Sequence, residues 1–179
     1  MEMDVTFMRD GAKEMPNIPN CESVRSMKIW HCKFRTLVPL KMCRNLKVLC
    51  IATFPDESLD VLSSLSTLSV LHILHLPKVT DLSPLSSLTN LESLSLQTLP
   101  SWDSSGKVQT VDSLEPLAKL PHLKHLELFG VRPEDKSLVA LESCAGLKTA
   151  RFSKFPKQEV ARFYDATGIV NEFNPESPL

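Results

Sequence analysis

The sequence lacks an excess of charge of either sign: 20 Lys and Arg stand against 21 Asp and Glu over 179 residues, for a net charge of -1. Nothing in that balance would grip nucleic acid or an anionic membrane. The chain also lacks any apolar run near the roughly 18 residues that a spanning helix needs. Its first ten residues, which carry Glu2, Asp4 and Asp10, lack the apolar segment of a secretory signal. These absences predict a cytoplasmic protein that binds neither nucleic acid nor membrane. What is present is ordinary globular composition, 42% apolar and 23% charged, with room for one domain, so a disordered regulator is excluded.

Leucine dominates, and its spacing repeats. LESLSL at Leu91, Leu94 and Leu96 recurs as LHILHL at Leu71, Leu74 and Leu76, LKHLEL at Leu123, Leu126 and Leu128, and LKVLCI at Leu46, Leu49 and Ile51. Weaker copies are VRSMKI at Val24, Met27 and Ile29, LKTARF at Leu147, Ala150 and Phe152, and MDVTF at Val5 and Phe7. Aligned on their middle apolar residues, positions 5, 27, 49, 74, 94, 126 and 150, the seven units step by 22, 22, 25, 20, 32 and 24. Each copy alternates apolar and polar, the period of a strand with one buried face. After each strand, apolar residues recur every third position, as in Leu37, Leu40, Cys43 and Leu46, or Leu59, Leu62, Leu65, Leu68 and Leu71. That spacing suits tight 3-10 turns.

From Asp4 to Phe155 the chain resembles the leucine-rich repeat family, most closely the short-repeat class of internalins and cytosolic phosphatase regulators. The resemblance implies an α/β, right-handed solenoid with a parallel concave sheet of about seven strands and a convex side of short 3-10 or irregular helical turns. One family feature is missing. The column where an asparagine usually ladders through the turn reads Asp10, Cys32, Phe54, Val79, Leu99, Val131 and Phe155, so packing has to replace the amides. The expected organisation is a solenoid over 1–155 with an insertion loop at 100–113, a capping helix within 156–170, and a flexible tail at 171–179. The cap is predicted at Lys157 to Thr167, with Val160, Phe163 and Tyr164 on one face and Gly168 at the stop. The N-terminal strand has no obvious cap, and its open edge offers a contact for a second copy or another subunit.

Of five cysteines, Cys21, Cys43 and Cys144 stand where other repeats place leucine, and Cys32 lies in the apolar column after a strand. All four read as packing thiols in a reducing compartment. Cys50 should face outward, with His75 beside it on the next strand, the minimum for an activated thiol. No oxyanion-hole signature accompanies the pair, so two neighbouring surface residues is the favoured reading. His72 with His75, or His122 with His125, at three-residue spacing point to opposite faces of a strand and make no metal site. Ser104 to Lys107 lacks the second glycine of a phosphate loop and reads as a flexible loop. No cofactor or metal is expected.

The outward columns identify candidate partner-binding residues: Trp30, Lys28, Val48, Cys50, Ile73, His75, Ser95, Gln97, His125, Glu127, Phe129 and Arg151, together with Trp102 in the insertion. Aromatic anchors ringed by polar groups are what interface hot spots look like. Charge is polarised along the stack. Residues 1–50 carry nine basic against five acidic side chains (+4), residues 51–110 two against six (-4), and the remainder nine against ten (-1). A bipolar surface orients a protein partner. The function expected is a non-catalytic protein–protein interaction module, acting as inhibitor, adaptor or immunity-type protein. A thiol-dependent enzyme using Cys50 and His75, and a structural subunit of a larger assembly, stand as alternatives.

Overall fold

A computed structural model describes residues 2–175, and in it the chain winds into a leucine-rich repeat solenoid. The strands are β1 (Met3–Met8), β2 (Val24–Trp30), β3 (Val48–Ala52), β4 (Val70–Leu74), β5 (Ser93–Gln97), β6 (Gln109–Val111), β7 (His125–Phe129), β8 (Val131–Pro133) and β9 (Thr149–Phe152). Seven of them form one parallel sheet in the order β1-β2-β3-β4-β5-β7-β9, while β6 and β8 pair separately. Between the rungs the chain returns through 3-10 turns at Cys21–Ser23, Val38–Met42, Leu59–Leu62, Ser83–Ser87 and Val139–Ser143. Three helices, α1 (Pro100–Ser104), α2 (Glu115–Ala118) and α3 (Lys157–Thr167), complete it. Leu40, Leu65, Leu85, Leu117 and Leu141 from the turns meet Leu49, Leu71, Leu94 and Leu126 from the strands in one continuous core. Each such leucine gains about 1.5–3 kcal/mol on burial, but only against the next coil, which is why the units stack. Among the described residues no helix is long and apolar enough to cross a membrane.

The register corrects the fourth repeat. Leu49 lies beside Leu71, and Leu71 beside Leu94, so the middle residues are Val5, Met27, Leu49, Leu71, Leu94, Leu126 and Ala150, in steps of 22, 22, 22, 23, 32 and 24. Sliding this unit back by three residues sends Ile73 into the core at 0% exposure and leaves Leu74 half-buried at the surface. It also puts Leu76, not Val79, in the column that follows the strand, although both are buried.

The missing asparagine ladder is replaced in three ways. Phe54, Leu76, Val131 and Phe155 fill the column with apolar bulk. Carboxylates reach back from the following coil: Asp56 accepts from the Leu37 N–H at 2.8 Å, and Glu159 of α3 from the Leu138 N–H at 2.7 Å. One buried amide remains, Gln109, whose Nε2 donates to the Val79 carbonyl at 2.6 Å. The residue four places after the middle strand residue takes a left-handed conformation on six rungs, at Arg9, His31, Thr53, His75, Gly130 and Lys154. Only the glycine announces this turn in the sequence.

Cys21 and Cys43 form a disulfide rather than lying as separate packing thiols. They occupy the same place on consecutive rungs, 22 residues apart, so stacking alone brings their Cα atoms to 4.7 Å. Closing a loop of that length typically contributes about 3 kcal/mol. Disulfides persist in oxidising surroundings, so the cysteines no longer argue for a reducing compartment. Cys144 is buried and Cys32 half-buried, both free thiols, as packing requires.

The cap helix spans the predicted residues and stops at Gly168, whose φ is 68°. Phe163 is wholly buried in edge-on contact with Phe152 and Tyr164, and Phe155 meets Phe152 edge-on in turn. The Tyr164 hydroxyl donates to the Ala150 carbonyl at 2.6 Å, and its burial pushes its pKa up to about 12. Val170 then bridges Thr149 in parallel, a fragment of an eighth rung. Of the expected flexible tail, 176–179 lie outside the described residues, whereas Asn171 accepts a bond from the Tyr164 hydroxyl.

Candidate functional site

The sheet face opposite the core carries three columns. The first runs Asp4, Ser26, Val48, Val70, Ser93, His125 and Thr149; the second Thr6, Lys28, Cys50, His72, Ser95, Glu127 and Arg151; the third Met8, Trp30, Ala52, Leu74, Gln97 and Phe129. Adjacent rungs lie about 4.8 Å apart. Two of the expected surface residues are therefore misplaced. Ile73 is interior, with Val70 in its column, and His75 lies one residue beyond β4 on the rim, with His72 in the column expected for it.

The two halves of this face differ. On β5, β7 and β9 most polar groups satisfy one another and are largely shielded; the exception is Ser93, whose buried hydroxyl has no partner. The Ser95 hydroxyl donates to Glu127 Oε1 at 2.9 Å, Gln97 Nε2 donates to the same oxygen at 2.6 Å, and Arg151 pairs with Glu127 at 3.7 Å while lying over the Phe129 ring. His125 Nδ1 sits 2.7 Å from the Thr149 hydroxyl. Glu127 keeps only 5% of its surface, and Ser93, Ser95 and His125 are also buried. The small serines of β5 sit in the shade of the larger residues on either side. Of the candidates expected there, Ser95, His125 and Glu127 are not free to meet a partner in this arrangement, whereas Arg151, Gln97 and Phe129 reach the surface.

On β2, β3 and β4 the face is open. Lys28 lies over the Trp30 indole at 4.7 Å, Trp30 meets His31 edge-on, and Val48, Cys50, His72 and Leu74 are half-buried, whereas Val70 and Ala52 are buried. Ala52 lies between Trp30 and Leu74 in the third column, its methyl group far smaller than the side chain on either side. The insertion closes this strip on the rim. Instead of a flexible loop it is a short helix, α1, followed by β6, and it is tied down by Lys154, whose Nζ contacts the Asp103 carboxylate at 3.2 Å and carbonyl at 3.0 Å. Trp102 from α1 packs edge-on against His75 at 4.9 Å, and Lys107 lies 5.9 Å from its ring centre. A small pocket of about 230 Å³ opens between α1 and Gln97, Phe129 and Ser153.

Cys50 Sγ lies 3.8 Å from His72 Nδ1. Burial raises the thiol pKa against a smaller opposing effect of Lys28, and burial lowers that of His72. Both shifts favour the neutral forms, opposite to the thiolate and imidazolium that nucleophilic catalysis needs. At pH 7.5 iodoacetamide should alkylate Cys50 several-fold more slowly than a free cysteine in a short peptide, as read by mass spectrometry of the Cys50 tryptic fragment. Reaction faster than the peptide would restore the thiol-enzyme reading. Among the described residues no three His, Cys, Asp or Glu side chains stand close enough to hold a metal ion.

The half-buried His72 and His75 also set a pH dependence. His72 and His75 both titrate below their ordinary value of about 6.5, each mainly because of burial, so folding favours their neutral forms. Their contribution is fully present above that value and is lost as pH falls through the lowered folded-state values. The urea midpoint should therefore decline between pH 7 and pH 5, and His72→Gln should flatten the decline. An unchanged slope would show that folding does not shift the titration of His72.

His72 and Leu74, the open-face residues missed in the sequence, were hidden by a second valid reading of the same leucines. The signal that could have found them was the step length. Taking Leu71 as the middle residue gives 22 and 23 in place of 25 and 20.

No protein-family model and no curated protein matches the chain. Solved structures do. Internalin C2 of Listeria monocytogenes superposes with a TM-score of 0.51 at 17% identity, over 87% of this chain and 74% of that one. The internalin InlF of the same bacterium gives 0.51 at 18% identity, over 81% of this chain and 46% of that one. At such identities the likeness establishes the leucine-rich repeat fold, which is typical of protein-binding modules.

Proposed function

We propose that the chain is a non-catalytic protein-binding module that holds a partner protein on the open half of its sheet, with Trp102 as a side wall. The supporting observation is the apolar column Met8–Trp30–Ala52–Leu74, in which Met8 is exposed and Trp30 and Leu74 are half-buried on either side of the buried Ala52, beside a polar half whose charged and amide groups mostly satisfy one another. Aromatic anchors in an apolar strip rimmed by polar groups are the arrangement from which interfaces draw most of their affinity. Inhibitor, adaptor and immunity-type roles all use such a surface. The test is a photo-crosslinking residue placed at Leu74 and, as control, at Met42, which is 69% exposed on the opposite side of the coil. A discrete adduct with a protein of the native host from position 74 alone supports the reading. Identical patterns from both positions, or none from 74, refute it.

The β1 edge favours a second reading, contact within an assembly. Met3, Val5, Phe7 and Ile18 line an apolar groove of about 380 Å³ there. Light scattering that shows a monomer at high concentration would remove self-association from it.

A further inference from the structure

We infer that the segment held on the open strip is acidic and carries a large apolar side chain, a conclusion that rests on the binding role proposed above. The local charge carries the argument. Three cations border the strip on different sides: Lys28 in the column beside Trp30, Arg9 directly after β1, and Lys107 against Trp102. Among the described residues none of the three has a carboxylate within ion-pair distance. The nearby carboxylates other than Asp4, which stands exposed on β1, are by contrast already engaged. Glu127 is held by Arg151, Ser95 and Gln97, Asp103 by Lys154, and Asp10 accepts from the Ala12 N–H. The strip therefore presents unsatisfied positive charge although the whole chain is close to neutral.

The shape supplies the second half of the inference. Met8 is 53% exposed at the outer end of the same column, and Trp30 and Leu74 continue it half-buried with Ala52 covered between them, an apolar strip against which one bulky apolar side chain can lie. Flanking carboxylates on that segment would then reach Lys28, Arg9 and Lys107, each gaining a charge-assisted bond where water is partly excluded. A single-stranded nucleic acid also offers negative charge and flat rings, but it asks for a continuous basic track. Here three cations surround methionine, alanine and leucine, and Asp4 stands on the same face. The surface fits an acidic peptide segment better.

The full chain is used as bait for a library of random 12-residue peptides on phage, counter-selected with Lys28→Glu. Enriched peptides should carry a clear surplus of Asp and Glu around an aromatic residue or leucine. A synthesised representative should bind about tenfold more weakly to Lys28→Glu, which lies at an exposed position and leaves folding intact, and about thirtyfold more weakly to Trp30→Ala. Its affinity should fall steadily as salt rises from 50 to 500 mM. Basic or uncharged peptides that still depend on Trp30 would overturn the acidic partner and leave the binding face standing. Peptides indifferent to both variants, or no enrichment at all, would overturn both. A labelled thymidine 12-mer that binds more tightly than the selected peptide would overturn the inference in favour of nucleic acid.

Discussion

Replacing Gly130 with valine is expected to destabilise the protein by about 2–5 kcal/mol, with the effect centred on the junction of β5, β7 and the insertion. Gly130 sits at φ 70°, a region that a β-branched side chain scarcely enters. A Cβ there would stand 2.2 Å from Thr98 Oγ1 and 3.1 Å from Thr98 Cγ2. Thr98 cannot retreat easily, because it is buried and its N–H bonds the Phe129 carbonyl at 2.9 Å. Gly130 is also pinned on both sides. Its N–H donates to Ser153 Oγ at 2.8 Å and its carbonyl accepts from Gln109 at 2.7 Å. Urea unfolding reads the loss. Gly130→Ala should lose less, and adding Thr98→Ala to it should restore part of the stability by removing the two closest atoms. A Gly130→Val protein as stable as the parent would mean that this turn is not built as described.

Phe163→Ala should cost about 3–5 kcal/mol, the loss typical of a fully buried phenylalanine. The distribution of the damage matters more than its size. Phe163 closes the open end of the stack by packing on Phe152, at 5.4 Å between ring centres, while its neighbour Tyr164 holds the Ala150 carbonyl. A solenoid is stabilised mainly between neighbouring coils. Hydrogen exchange should accordingly accelerate at Ala150 and Phe152 first, with the amides of β2 and β3 keeping most of their protection. Uniform acceleration along all rungs would show a single cooperative core instead. The Glu159 contacts contribute to the same end: Arg162 beside it holds the Glu159 carboxyl at about 2, well below its ordinary range, so this tie stays charged until strongly acid conditions.

The repeat was legible because burial on one face enforces a period of two in the strands and of three in the turns, and leucine fills both. The cap was legible as well: Lys157–Thr167 carries its apolar residues on one side and ends at a glycine. The fourth rung was not, because LHILHL and the preceding LSVLHI both satisfy the same pattern. Leu71 was counted with the turn residues, the one series with five members where the others have four. That single shift paired Cys50 with His75 and took Ile73 for a surface residue, whereas Cys50 meets His72. The disulfide was missed for a different reason. Each cysteine was explained singly as a leucine substitute, although two cysteines one repeat apart in the same column must be neighbours once the coils stack. The self-satisfied half of the face could not be read from sequence, because the shielding of Ser95 and Glu127 depends on the lengths of side chains on three different rungs. Nor could the folding of the insertion, whose anchor, Lys154, lies 51 residues from the Asp103 carbonyl that it bonds.

The open strip exists only if Leu74 faces outward and Ile73 inward, and thiol accessibility at these two adjacent positions decides it. Cysteine is placed at each in turn, the native protein is exposed to a maleimide, and modification of the peptide is followed by mass spectrometry. Leu74→Cys should be labelled at least about tenfold faster than Ile73→Cys, with the two rates converging in urea. Faster labelling at position 73 would put the strip in the interior and contradict the binding face built on it.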